Sequence, residues 1–265
     1  MQKLGDDINL NERYHILGVG ISKVNLERTF QIMDEWIREK KREYIILAGA
    51  HGIVECQSDD KLRSIYNNAG LVTPDGMPEV WLGRIKGVKE IEKVYAPDIM
   101  MGIFARSASE GYRHFFYGGK EGVAELLTIR MEEEYPGIEI VGSYYPPFRP
   151  LTGDEGNDVI DQINRSGADI VWVGLGCPKQ DFWMAHFRDR LEAPILIGVG
   201  AGFDFLSGEK PLAPKFIQNS GFEWFYRMLS EPMRLGRRYM RIVPKFIFLI
   251  LMESLGLYKP SQGSH

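Results

Sequence analysis

ADIVWVGLGCPKQDFWMAHFRDRLEAPILIGVGAG, residues 168–202, decides the fold. It opens and closes on runs that are apolar at consecutive positions, the pattern of strands buried on both faces of a parallel sheet. Between them, 178–191 reads as a helix. Strand, helix and strand in turn make a right-handed βαβ unit. The same texture extends outward through YHILGVGI (14–21), EYIILAGA (43–50), GLVTP (70–74), RHFFYGG (113–119) and GIEIVGSY (137–144). Helical stretches are expected at 26–40, 76–86, 120–134 and 155–166. Asn25 is a plausible N-cap for the first, whose Phe30, Met33 and Ile37 share one stripe. Pro136-Gly137 closes the third. The fold class expected is α/β, a Rossmann-like sandwich with mainly parallel sheet.

Composition narrows the class further. An apolar fraction of 44% over 265 residues is enough for a full core. Lys and Arg number 32 against 36 Asp and Glu, a net charge of −4, which argues against a globally basic nucleic-acid binder. Cys56 and Cys177 make no disulfide framework and no CxxC zinc pair, so a reducing compartment is expected. MQKLGDDINLNERYH (1–15) has no apolar signal region, so no signal peptide is expected. No run reaches the roughly 18 apolar residues of a spanning helix.

The charge is unevenly spread. Residues 209–259 carry nine Lys/Arg and four Asp/Glu, a local +5, so the rest carries −9. Trp224, Phe225, Tyr226, a series of arginines and FIFLILM (246–252) follow the same boundary. The division expected is a Rossmann-like main domain over 1–208 and a helical basic appendage over 209–265. Arg227, Arg234, Arg238 and Arg241 would share a stripe on one straight helix, but Pro232 forbids it. Arg234, Arg238 and Arg241 are then the ones expected on one face. A basic face beside apolar residues suits a membrane interface or an anionic lipid head group, and equally an ordinary solvated helix. Exposed apolar residues there suit lipid or a second copy of the chain.

In such folds ligands sit beyond the carboxyl ends of the strands. Those positions hold Gly18/Gly20, Gly49/His51, Thr73-Pro74-Asp75-Gly76, Gly118/Gly119, Tyr144/Tyr145, Gly174/Gly176 with Lys179-Gln180, and Gly200 through Asp204. Glycines there let backbone approach a phosphate, though βα turns also need glycine for themselves. Gly18-Val19-Gly20 and Gly198-Val199-Gly200 both miss the G-x-G-x-x-G spacing, and neither begins a Walker loop. Asp75 reads either as an N-cap or as a carboxylate aimed into the crevice as a general base. A base beside a helix N-terminus needs burial or a nearby carboxylate to raise its pKa. His51 is the histidine at a strand end. No HxxxH or HxH pair exists, and neither Asp6-Asp7 nor Asp59-Asp60 makes a metal clamp; the second pair looks like a helix start. No metal or other cofactor is expected. A nucleotide-dependent oxidoreductase or epimerase, or a non-catalytic peripheral membrane sensor of nucleotide sugars, remain alternatives on the same scaffold.

TPDGMPEVW (73–81), VYAPDIM (94–100), FFYGGKEGVAE (115–125), YYPPFRPLT (144–152), ADIVWVGLGCPKQDFWM (168–184), LIGVGAGFDFLSG (196–208) and APKFIQNSGFEWFYRMLSEPMRLGRRY (213–239) together resemble the WecG/TagA/CpsF glycosyltransferases, over about 14–245. The resemblance implies an inverting, metal-independent transferase. It would move a sugar from a UDP-sugar to a polyprenyl-diphosphate-linked saccharide at the cytoplasmic membrane face, as a peripheral protein building bacterial surface polysaccharide. Carried over by position, Asp75 matches the base, and Gln180 and Asp204 match polar residues that hold the donor. Gly118-Gly119 and Gly174-Gly176 would approach the donor backbone, and Tyr144, Lys93 and His51 complete its site. Arg227, Arg234, Arg238 and Arg241 match arginines that meet the diphosphate. A family Thr-x-Asn is here Leu47-Ala48-Gly49, and an arginine is here Lys93, which leaves the donor sugar open.

Overall fold

A computed structural model describes residues 12–260. Asp6-Asp7 lies outside them. Two short strands, β1 (Arg13–Ile16) and β2 (Val19–Ser22), precede α1 (Leu26–Glu39), β3 (Glu43–Ala48), α2 (Ala50–Glu55), α3 (Asp60–Asn68) and β4 (Leu71–Pro74). Then come α4 (Met77–Ile85), α5 (Ala96–Glu110), β5 (Arg113–Gly118), α6 (Val123–Glu134), β6 (Glu139–Tyr144), α7 (Gly153–Ser166) and β7 (Ile170–Gly174). The chain ends with α8 (Lys179–Phe187), β8 (Ile195–Gly198), α9 (Gly202–Leu206), α10 (Lys215–Asn219), α11 (Glu223–Ser230) and α12 (Arg237–Ser254).

Six strands form one parallel sheet in the order β4-β3-β8-β7-β5-β6. Its consecutive apolar residues alternate between two buried faces. Ile46, Val72, Val171 and Leu196 pack into one core, while Ile45, Leu71, Ile170 and Ile197 pack into the other. Helices on both faces make the Rossmann-like α/β sandwich that the spacing predicts.

Caps explain several boundaries. Asn25 Oδ1 accepts from the Arg28 amide at 2.8 Å, and Asp59 Oδ1 accepts from the Leu62 amide at 2.9 Å. Thr152 and Glu155 make a reciprocal capping box that starts α7. The 14–21 run is a correction. It is a two-stranded antiparallel hairpin outside the main sheet, because Leu17 and Gly18 both turn at positive φ, 49° and 77°. Gly18 and Gly20 therefore do not stand at a carboxyl end of the parallel sheet.

The C-terminal helices are packed, not pendant. α12 lies against α2, and its Ile242, Phe246 and Leu249 join the core beneath. FIFLILM is thereby divided: Phe246 and Leu249 are buried, while Ile247, Phe248 and Leu251 face solvent. Among the described residues no helix is long and apolar enough to cross a membrane.

Candidate functional site

A cavity opens at the carboxyl end of the sheet, where β3, β4, β7 and β8 run out. Leu47 and Gly49, Asp75, Gly176 and Cys177, and Gly198 through Gly202 line it from those four strands. Asp75 does not cap α4. The N-cap is Gly76, which leaves the carboxyl free to reach the first amide of α5, at Ala96. Gly49 lies beside the carboxyl, where a Cβ would stand 3.4 Å from Asp75 Oδ2, at van der Waals contact. Asp75 Oδ1 is shielded from solvent and has no hydrogen-bond partner.

Burial and the carboxylate of Glu223 push the Asp75 pKa up to about 7, against the opposing pull of Arg227, Lys93 and the Ala96 amide. Glu79, one turn further along α4, is fully buried; burial pushes it up to about 8, with Asp75 contributing. Both conditions for a base near a helix N-terminus, burial and a neighbouring carboxylate, are thus present. Such a group can take a proton from a hydroxyl near neutral pH.

His51, on α2, also lines the cavity. Burial, then the cations of Arg238 and Arg241, push its pKa down to about 4, so its imidazole is neutral at physiological pH. Its Nε2 lies 3.5 Å from Glu55 Oε1, and its Nδ1 is buried without a partner. Gln180 is buried at the start of α8, and its Oε1 accepts from the Gly176 amide at 3.0 Å. A Cβ on Gly198 would stand 2.6 Å from Gln180 Nε2. The carboxamide therefore holds the loop after β7 while packing against the end of β8.

The cations come from the C-terminal helices. Arg227, Arg234 and Arg238 line the cavity; Arg241 does not. Two of the expected trio, Arg234 and Arg238, thus reach it. A π-helical turn at Pro232–Gly236 separates α11 from α12 and brings Arg227 back beside the other two. Arg241 instead pairs with Glu55 at 3.2 Å. Arg227 lies 5.2 Å from the centroid of the Phe205 ring, with its Nε buried and unpartnered. Arg234 is held by Glu231 through two bonds of 2.6 and 2.7 Å. Guanidinium groups at the wall of a glycine-rich cavity suit a diphosphate.

Other expected site residues lie off the cavity wall. Gly118, Gly119 and Gly174 sit at the ends of β5 and β7 for packing reasons: a Cβ on Gly118 would meet the Gly174 backbone at 2.9 Å, and one on Gly174 would meet Phe203 at 2.7 Å. Tyr144 stacks on Tyr117, with centroids 5.8 Å apart. Asp204 is engaged by Lys210, whose ammonium is also 3.4 Å from Glu231. Lys93 pairs with Glu223 at 3.3 Å. Conversely, Tyr66, Tyr95, Cys177 and Phe205 line the cavity without having been singled out as ligand contacts. Tyr95 and Phe205 fall within the quoted VYAPDIM and GFDF motifs, which are the signal that could have found them. Among the described residues no three His, Cys, Asp or Glu side chains gather as a metal set.

Comparison with known proteins fits this geometry. Over 225 residues the chain is 27% identical to the N-acetylglucosaminyldiphosphoundecaprenol N-acetyl-beta-D-mannosaminyltransferase of Bacillus spizizenii, a match covering 85% of each chain. The profile of the Glycosyl transferase WecG/TagA/CpsF family matches residues 14–260, nearly the whole described chain. The protein belongs to the WecG/TagA/CpsF family of glycosyltransferases.

Proposed function

We propose that this glycosyltransferase moves a hexosyl unit, of the N-acetylmannosaminyl, glucosyl or uronosyl type, from a UDP-sugar to a polyprenyl-diphosphate-linked saccharide. It does so with inversion and without a metal, at the inner face of the cytoplasmic membrane, in the synthesis of surface polysaccharide. The acceptor class follows from the relative, whose name specifies N-acetylglucosaminyldiphosphoundecaprenol. The observation that carries the reading is the half-buried Asp75, aimed into a glycine-lined cavity beneath Arg227, Arg234 and Arg238. Residues 1–208 form the catalytic domain, and 209–265 form the appendage that presents the acceptor. Arg237, Arg241 and Lys245, with the exposed Met233, Met240 and Phe248, face lipid on that reading.

The mechanism is a single displacement. Asp75 takes the proton of an acceptor hydroxyl, and that oxygen attacks the anomeric carbon opposite UDP. Negative charge gathers on the departing diphosphate, where the three arginines stabilise it. Gln180 fixes the loop after β7 through the Gly176 amide, and the neutral His51 offers Nδ1 or its N–H to a sugar hydroxyl.

The pH dependence tests this. The base must be ionised, so UDP release should fall as pH drops through about 7, the Asp75 value, and about tenfold per unit well below it. The assay uses UDP-N-acetylmannosamine, UDP-glucose and UDP-glucuronate, with N-acetylglucosaminyldiphosphoundecaprenol in anionic vesicles. Release at the same rate without the lipid, or a profile flat from pH 5 to 8, contradicts the reading.

A further inference from the structure

α11 brings more than Arg227 to the site. Glu223, its first residue, lies one turn before Arg227, and its side chain is 16% exposed. Its Oε2 stands 3.3 Å from the ammonium of Lys93, a side chain only 7% exposed. Lys93 also donates to the Gln218 carbonyl at 3.3 Å and lies 4.4 Å from the centroid of the Tyr95 ring. The Glu223 carboxylate also raises the pKa of the Tyr95 hydroxyl. Tyr95 is the N-cap of α5, and the next amide, Ala96, is the one that bonds Asp75. A carboxylate from the C-terminal helices is thus fastened to the stretch that fixes the proposed base.

The charges around Asp75 come from every neighbouring element. Glu79 faces it from α4, Lys93 and Tyr95 from the segment entering α5, and Glu223 and Arg227 from α11. Tyr239 of α12 acts in turn on Arg227. Lys93 and Arg227 are both cations, and an opposite charge within about 4–6 Å lowers a carboxyl pKa by about 1–3 units. With Glu223 gone, burial alone would oppose the pair, and Asp75 would be a weaker base.

The geometry points to Glu223 as a positioning residue for Asp75: it engages Lys93 and Tyr95, so that docking of α11 sets one carboxylate against two cations. Glu223 does not line the cavity; it acts on Asp75 through the field of its carboxylate and through its hold on Lys93. The inference rests on the reading of Asp75 as the base for its consequence in turnover, and its test does not use turnover.

The full chain, labelled with ¹³C at aspartate carboxyl carbons, is titrated by NMR, with D75N identifying the Asp75 signal. Glu223→Gln should lower the Asp75 titration midpoint by about one pH unit. Lys93→Met alone should raise it, and the double variant E223Q/K93M should return it towards wild type. An unmoved midpoint in E223Q, or a double variant as low as E223Q alone, overturns the proposal. If E223Q does not fold, K93M decides: an upward shift supports the role, and no shift overturns it. Sugar transfer by D75N is a separate reading. Full turnover there removes Asp75 as the base and leaves the electrostatic coupling to stand or fall on the titration.

Discussion

Asp75→Asn should lower sugar transfer by about 10²–10⁴-fold, the usual contribution of a general base, while the fold and UDP binding persist. The asparagine keeps the shape beside Gly49 and retains an oxygen for the Ala96 amide, but it cannot take a proton. Stability should not fall. Burial already penalises the ionised form of Asp75, as its pKa near 7 records, so a neutral isostere removes a cost instead of a contact. Single-turnover UDP release, calorimetric UDP binding and a melting curve separate the three effects. Turnover within threefold of wild type removes Asp75 from the chemistry.

Arg227→Met should be the costliest change among the cavity arginines. The guanidinium is packed beside Phe205 and acts on Asp75, Glu223 and Tyr95 together. Removing it leaves two carboxylates in a poorly solvated site without that cation. What is lost is the cation–π contact with Phe205 and the longer-range attraction for these carboxylates, about 1–2 kcal/mol. Urea unfolding reads that loss. The pH limb of the reaction should also move upward, because Arg227 holds the Asp75 pKa down. An unchanged unfolding midpoint together with an unchanged limb would show that Arg227 does not communicate with the base.

Much of the fold was legible because a doubly buried strand leaves a one-dimensional trace. Ile170, Val171, Trp172 and Val173 are apolar in succession since each face of the sheet has its own core, and the structure sends them alternately to the two. The hairpin at 13–22 was not legible. Leucine is disfavoured at positive φ, so Leu17-Gly18 carries no strong turn signal and 14–21 reads as one strand. α5 carried a usable signal, with Ala96, Ile99, Met100, Ile103 and Phe104 at helical spacing, which the sequence reading leaves unused.

The site divides in the same way. Glycines and acids at strand ends can be read from the pattern, because the topology places every such end on one edge of the sheet. What the pattern cannot give is which side chains converge across elements. Asp75 reads as cap or base from the pattern alone; the structure gives the cap to Gly76, and the carboxylate of Glu223 that acts on Asp75 comes 148 residues later in the chain. The arginines were placed on one face by a straight-helix projection, and the π-helical turn changed which three meet. Gly118 and Gly174 look like phosphate glycines in sequence, yet their missing side chains are what let β5 and β7 approach each other and Phe203.

The anomeric configuration of the product tests the central claim most directly. The donor is an α-linked UDP-sugar, the acceptor is N-acetylglucosaminyldiphosphoundecaprenol, and the linkage is read by NMR from the one-bond carbon–proton coupling at the new anomeric centre. One displacement assisted by one carboxylate predicts a β-linked product, formed by the wild type and lost in D75N. An α-linked product, or a β-linked one made equally well by D75N, would contradict it.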